Sequence, residues 1–192
     1  MPRRSAGFGE RTEADLMRAV RSIGRHFETD TVFIIGSQAI LVGHSASPAI
    51  LRTPGEIDAY PGNAAEWEAR HPDDLASEEI NAWFGADSNF HAIFGFYIDG
   101  VDENTAKFPP GWKARAIEKT VMDGEKQIHV IAPCLDDLIV SKLHRLDPKD
   151  KIFAEACGHM QPLNISLIKA RLAETNPAPE ILADALGFLD GL

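Results

Sequence analysis

The chain is poor in cysteine, in long apolar runs and in positive charge, and each shortage removes a class of protein. Two cysteines in 192 residues, Cys134 and Cys157, are too few and too isolated for a disulfide scaffold or a zinc knuckle. Both are expected to be buried thiols in a reducing cytoplasm. The longest apolar runs, residues 32–35 and 93–98, fall far short of the roughly 18 residues that a membrane span requires. Arg3 and Arg4 lead into Glu10, Arg11 and Glu13 instead of an apolar segment, so neither a secretory signal nor a membrane partner is expected. Nineteen Lys and Arg against 29 Asp and Glu give a formal charge of −10. That balance speaks against a coat on nucleic acid or on an anionic membrane, and leaves room only for a local basic groove.

The rest is ordinary for a globular protein: 44% hydrophobic and 25% charged residues, enough chain to bury a core without a metal clip. Leu16, Val20, Ile23 and Phe27 recur at helical spacing and predict an amphipathic helix over residues 10–28. Residues 31–35, Thr-Val-Phe-Ile-Ile, read as a strand covered on both faces, followed at once by Gly36-Ser37 and a short helix over residues 38–43. A proline-bearing loop over residues 45–54 precedes a second strand at residues 56–60, closed by Pro61-Gly62. Residues 64–84 are helical in composition with a break at His71-Pro72, and Leu75, Ile80, Trp83 and Phe84 are expected on the buried side. The aromatic run 90–98 predicts a third strand, and Asp123-Gly124 a hairpin joining residues 114–122 to 126–131. From Leu135 onward the periodicity is helical. Helices are expected from Leu135 to Leu146, from Pro148 through Phe153, and over residues 166–174 and 179–189. The sum is an α+β fold: a mixed sheet of about five strands with flanking helices over residues 1–132, and a helical region over 133–192 packed on it as one unit.

Two constellations carry chemistry. Gly36-Ser37 between a buried strand and a helix can let a phosphate approach the backbone, with Ser37 capping the helix and free N–H groups forming an anion cradle. The plain alternative is a tight turn with a good cap, since neither a P-loop lysine nor a three-glycine fingerprint is present. Glu56-Ile57-Asp58 places two carboxylates on one face of a strand, where they can share Mg²⁺ with a nucleoside triphosphate. With 29 acids in 192 positions, about four such pairs arise by chance, so the meaning lies in the context. Here the pair lies on a predicted strand and follows the Gly-Ser unit by about 20 residues.

Together, the segments 33–41 (Phe-Ile-Ile-Gly-Ser-Gln-Ala-Ile-Leu) and 56–61 (Glu-Ile-Asp-Ala-Tyr-Pro) resemble the nucleotidyltransferase superfamily, with its hydrophobic strand, Gly-Ser and spaced acid-x-acid. Residues 134–143 followed by Lys149-Asp150 look like the C-terminal helices of the AbiEii-type branch, which includes toxins of toxin–antitoxin pairs. Phe90-His91 and Pro110-Gly111-Trp112 are similar to features of minimal nucleotidyltransferase-like proteins, and the likeness runs from about Thr31 to Phe153. The resemblance implies that Gly36 and Ser37 hold the triphosphate, that Glu56 and Asp58 bind Mg²⁺ or Mn²⁺, and that Lys142 and Asp150 serve the nucleotide. For Lys142 the alternative is an exposed helix position; for Asp150 it is a favourable place near a helix N-terminus. Glu56 stands where the superfamily more often has Asp.

The third carboxylate, which serves such enzymes as general base, has three candidates in Asp99, Asp102 and Glu118. We take Asp102 as the catalytic choice. His91 can face the cleft or pack among aromatics, and Trp83, Phe84, Phe94 and Tyr97 are expected in the core. Of Arg115, Lys119, Lys142, His144 and Arg145, those sharing the face of Glu56 and Asp58 would form the local basic patch. The expected activity is transfer of a nucleoside monophosphate from an NTP to a hydroxyl on RNA such as a tRNA end, on a protein or on a small molecule. A toxin–antitoxin role with a partner protein encoded nearby is one setting for it. The alternative is a catalytically degenerate interaction or regulatory module of the same fold.

Overall fold

A computed structural model describes residues 9–53 and 55–192. Arg3 and Arg4, read above for the absence of a signal, lie outside the described residues. The first helix, α1 (Glu13–His26), is started by a capping box in which Thr12 and Asp15 satisfy each other's backbone N–H groups. It turns Leu16, Ala19, Val20 and Ile23 inward. The chain then enters β1 (Thr31–Ile35), passes through a 3-10 turn at Ser37–Ala39 and the single turn α2 (Ile40–Gly43), and returns along β2 (Glu56–Pro61). Helices α3 (Ala64–Arg70), α4 (Ala76–Phe84) and α5 (Asn89–Phe94) precede β3 (Tyr97–Gly100). The hairpin β4 (Ile117–Asp123) and β5 (Lys126–Ala132) turns at Gly124-Glu125, because Asp123 pairs with Lys126.

The five strands form one mixed sheet in the order β3-β2-β1-β5-β4. β1 runs antiparallel to β2 and parallel to β5, while β2 and β3 are parallel. Strand alternation then assigns the faces. Val32 and Ile34 of β1, with Ile57 and Ala59 of β2, all buried, join the main core beneath α1. Phe33 and Ile35 share the other face with Tyr60 and Val101, and Ala106 and Phe108 pack over them. So β1 is covered on both faces, as its unbroken apolar run predicts.

Four helices complete the chain: α6 (Leu135–Leu143), α7 (Pro148–Met160), α8 (Ile165–Glu174) and α9 (Pro179–Leu189). One continuous apolar cluster runs from Leu16 through the sheet to Leu189. Asp137, with no exposed surface, ties this region to the segment before β4: Arg115 Nε donates to it at 3.1 Å and Arg171 Nη1 at 3.0 Å. Among the described residues no helix is long and apolar enough to cross a membrane.

Four expectations are corrected. The run 90–98 is not one strand; its first half is α5 and only its end enters β3. Ser88 caps α5 by accepting from the His91 N–H at 3.1 Å, and Gly95 ends it in the left-handed conformation at φ 73°. Leu75 and Trp83 are not buried but 52% and 59% exposed, Phe94 also reaches the surface, and Trp67, Ala76 and Ile80 take the inward positions. Helix α7 runs on to Met160 instead of stopping near Phe153. Cys157 is buried, but Cys134 is only partly so; both are free thiols.

Candidate active site

Gly36 stands where β1 ends, with φ 66°, in the region that glycine alone enters freely. A second reason for glycine comes from the neighbouring strand. Asp58, the register partner of Ile35, lays its carboxylate across Gly36 so closely that a Cβ there would stand 1.7 Å from Asp58 Oδ2. The glycine at the end of β1 and the acid on β2 therefore form one unit. Gly36, not Ser37, occupies the cap position of the 3-10 turn, and no side chain caps it. Ser37 Oγ instead accepts a hydrogen bond from Lys142 Nζ at 3.0 Å.

Glu56 and Asp58 share one face of β2, about 6.6 Å apart along the strand. In the parallel register of β2 and β3, Asp58 lies beside Asp99 and Glu56 beside Tyr97, about 4.8 Å across the sheet. Of the three candidates for a third carboxylate, the register thus sets Asp99 beside the pair, not the chosen Asp102. Asp102 follows the strand and spends its carboxylate on the turn, accepting from the Asn104 N–H at 2.6 Å, in a separate cavity beside Tyr60 and Lys113. Glu118 is exposed on β4, at the far edge of the sheet beyond β1 and β5.

Burial and neighbouring charge raise two of the acids, Asp58 and Asp99. Burial, then Asp99, then Glu56 push the Asp58 carboxyl up to about 6, against the pull of Lys142 and Lys149. Burial and Glu56 also raise Asp99, and the Tyr97 phenol is raised by burial and by the same acids.

The acids share a cavity with basic side chains from α6, α7, the segment between them and the loop after β3. This cavity, of about 340 Å³, is lined by Gly36, Ser37, Glu56, Asp58 and Asp99 from the sheet and the turn after it, and by Lys107, Lys142, His144, Arg145 and Lys149. Lys142 is not an exposed helix residue: it is 8% exposed, its Nζ lies 3.5 Å from Asp150 Oδ1, and burial lowers its pKa while Asp150 and Asp58 oppose that. Asp150 is buried behind the cations and does not line the cavity. Arg145 clamps its two oxygens at 2.7 and 2.8 Å. Burial alone would raise Asp150, but Arg145 and Lys142 hold it below the usual carboxylate range. Asp150 therefore positions cations.

Of the expected basic patch, Lys142, His144 and Arg145 share the cavity with the acids. Arg115 is engaged with Asp137, and Lys119 pairs with Glu13. Lys107, which no sequence pattern marked, and Lys149, quoted in the helical motif without a role of its own, complete the basic lining. His91 sits on α5 and does not line the cavity; its Nδ1 accepts from the Asp87 N–H and its ring lies 5.2 Å from that of Tyr97.

Among the described residues no group of three or more His, Cys, Asp or Glu side chains is arranged to hold a metal ion by itself. Magnesium sites of the phosphate-transfer kind need no such cage, since one or two carboxylates join with substrate phosphate oxygens. Three mutually repelling acids, one raised to about 6, form a donor set that suits a hard cation shared with phosphate.

A family model described as "Nucleotidyltransferase of unknown function (DUF6036)" matches residues 14–184. The chain belongs to this nucleotidyltransferase family. No curated protein and no solved structure matches it. The family match spans β1, β2, β3 and the helices α6 and α7, so every residue lining the polar cavity falls within it.

Proposed function

We propose that this nucleotidyltransferase-family protein binds a nucleoside triphosphate with Mg²⁺ or Mn²⁺ and transfers the nucleoside monophosphate to a hydroxyl. The observation that carries the reading is one cavity lined by Glu56, Asp58 and Asp99 together with Lys107, Lys142, Arg145, Lys149 and the Gly36-Ser37 turn. Glu56 and Asp58 would hold the ion, which supplies charge neutralisation and alignment of the reacting phosphate. Gly36 makes room for the Asp58 carboxylate, and Ser37 with Lys142, fixed between Ser37 and Asp150, would meet the negative charge of the phosphates.

Asp99 is the general base. The acceptor oxygen forms a bond to the α-phosphorus, its proton passes to Asp99, and the bond to the leaving pyrophosphate breaks. Burial and the neighbouring Glu56 raise Asp99 above the ordinary aspartate range, which suits it to hold that proton. A tRNA end, a protein hydroxyl and a small molecule are the acceptors to try, and a toxin role beside a partner protein belongs to the same proposal. The reading as a module without catalysis drew on an unplaced third carboxylate and on Glu56 standing where Asp is more usual. Asp99 beside Asp58 speaks against the first of these and favours the transferase reading.

The test is calorimetric titration of the four NTPs with Mg²⁺ into wild type and into a Glu56→Ala/Asp58→Ala variant shown by circular dichroism to be folded. Mg²⁺-dependent binding by wild type, weakened at least a hundredfold in the variant, is the expected result. Well-folded wild type that binds none of the four sinks the proposal.

A further inference from the structure

The polar cavity does not end at Ser37, Glu56 and Lys149. These three residues also line an adjoining chamber of about 440 Å³ of different character. Ile50, on the 3-10 turn Ala49–Arg52, and Ile152, on α7, line it while remaining 55% and 47% exposed, and Leu51 and Phe153 line it as well. Branched apolar side chains left open in a concavity of small-molecule size are a binding surface more often than an accident of packing. The polar groups are unevenly placed. Ser37, Glu56 and Lys149 stand at the shared mouth and Tyr97, in register with Glu56, lines this chamber alone, whereas the Thr53 hydroxyl is already spent on the Ala49 carbonyl at 2.9 Å.

Resting on the proposed function above, we propose that this chamber receives the nucleobase, gripping it between Ile50 and Ile152 by apolar contact and without reading its hydrogen-bonding edge. The occupant follows from what the chambers share and what they do not. Ser37 and Lys149 border both, so a molecule whose phosphates fill the polar cavity has its remaining part directed here. Asp99 lines only the polar cavity, so a hydroxyl waiting to lose its proton there approaches from elsewhere. Lys149 is the single cation among the described lining residues, so a second polyphosphate finds no wall of charge. An edge-blind grip makes the protein tolerant of the base and slightly favours purines through their larger area.

Magnesium tripolyphosphate, ATP, GTP, CTP and UTP titrated into the full chain separate this inference from the one beneath it. Each NTP is expected to bind about 30-fold more tightly than tripolyphosphate, the gain of covering a base with apolar surface, and the four to agree within about fivefold. Ile50→Asn and Ile152→Asn, both at exposed positions, should each weaken ATP about three- to tenfold and leave tripolyphosphate unchanged. NTPs that bind no better than tripolyphosphate, or that are indifferent to both isoleucine variants, overturn the base chamber and leave the phosphate site standing. A spread among the four NTPs beyond about fivefold overturns the edge-blind grip. Failure of tripolyphosphate and of every NTP removes both readings together.

Discussion

Asp150 on α7 and Asp58 on β2 carry the same carboxyl group out of water beside the same cleft, with opposite results. Asp150 has both oxygens clamped by Arg145 and a third contact from Lys142, and it stays ionised below the usual range. Asp58 faces Gly36 on one side and two further acids on the other, and its carboxyl rises to about 6. Asp137, between Arg115 and Arg171, belongs geometrically with Asp150. An acid met by guanidinium groups is complete in the folded chain. An acid held among other acids has negative charge to offer, and that marks where an incoming cation is expected.

Removing an acid that is already paired is expected to cost the most. Asp137→Ala leaves Arg115 and Arg171 without their shared partner, and is expected to cost about 3–5 kcal/mol in urea unfolding. A loss below about 1 kcal/mol would show that the two cations find other partners and that the pairing is worth little. Next comes the glycine that lets Asp58 lie where it does. Gly36→Ala places a Cβ 1.7 Å from Asp58 Oδ2 at a backbone angle hostile to side chains, and about 2–3 kcal/mol of stability should be lost.

The smallest effect has the opposite sign. In the unfolded chain Asp58 ionises near its ordinary 3.8, but in the folded chain near 6, so between these values the folded state holds the extra proton. Stability from this group therefore falls as pH rises from about 4 to about 6. Asp58→Asn should match wild type at pH 4 and exceed it by about 1–2 kcal/mol at pH 8, in thermal melts across that range. Equal stability at both ends would show that Asp58 is not strained. Asp150, being lowered, contributes in the reverse sense: its share is present above the unfolded value and is lost on acidification through the folded one.

The strand pattern of Glu56-Ile57-Asp58 and the breaks at Gly36, His71-Pro72 and Asp123-Gly124 were legible because each is encoded within a few residues. The placement of Asp99 beside Asp58 was not. Asp99 comes beside Asp58 through a strand register that joins residues 41 apart, and nothing local to Asp99 or Asp102 states that register. The aromatic run at 90–98 misled because β-propensity outweighed the Ser88 cap and the Gly95 stop, although both signals were there to be read. Burial of Lys142 had a readable sign too. Leu135, Leu138, Ile139, Lys142 and Leu143 fall on one helical stripe, all buried, so the lysine was marked for the inside by its spacing. Lys107 lies outside any periodic segment and could be placed only by the fold.

The Lys142–Ser37 hydrogen bond has one more consequence. It joins positions 105 residues apart, one at the end of the first strand and one on the sixth helix, and a triphosphate lying against both would brace the same span. Its occupancy would then act as a reversible staple across more than half the polymer. Such a closure is most effective when the loop it spans is long, and a ligand that favours the folded state shifts the unfolding equilibrium by mass action. Nucleotide saturation should therefore slow hydrogen exchange in α6 and α7 together with β1, as one cooperative block.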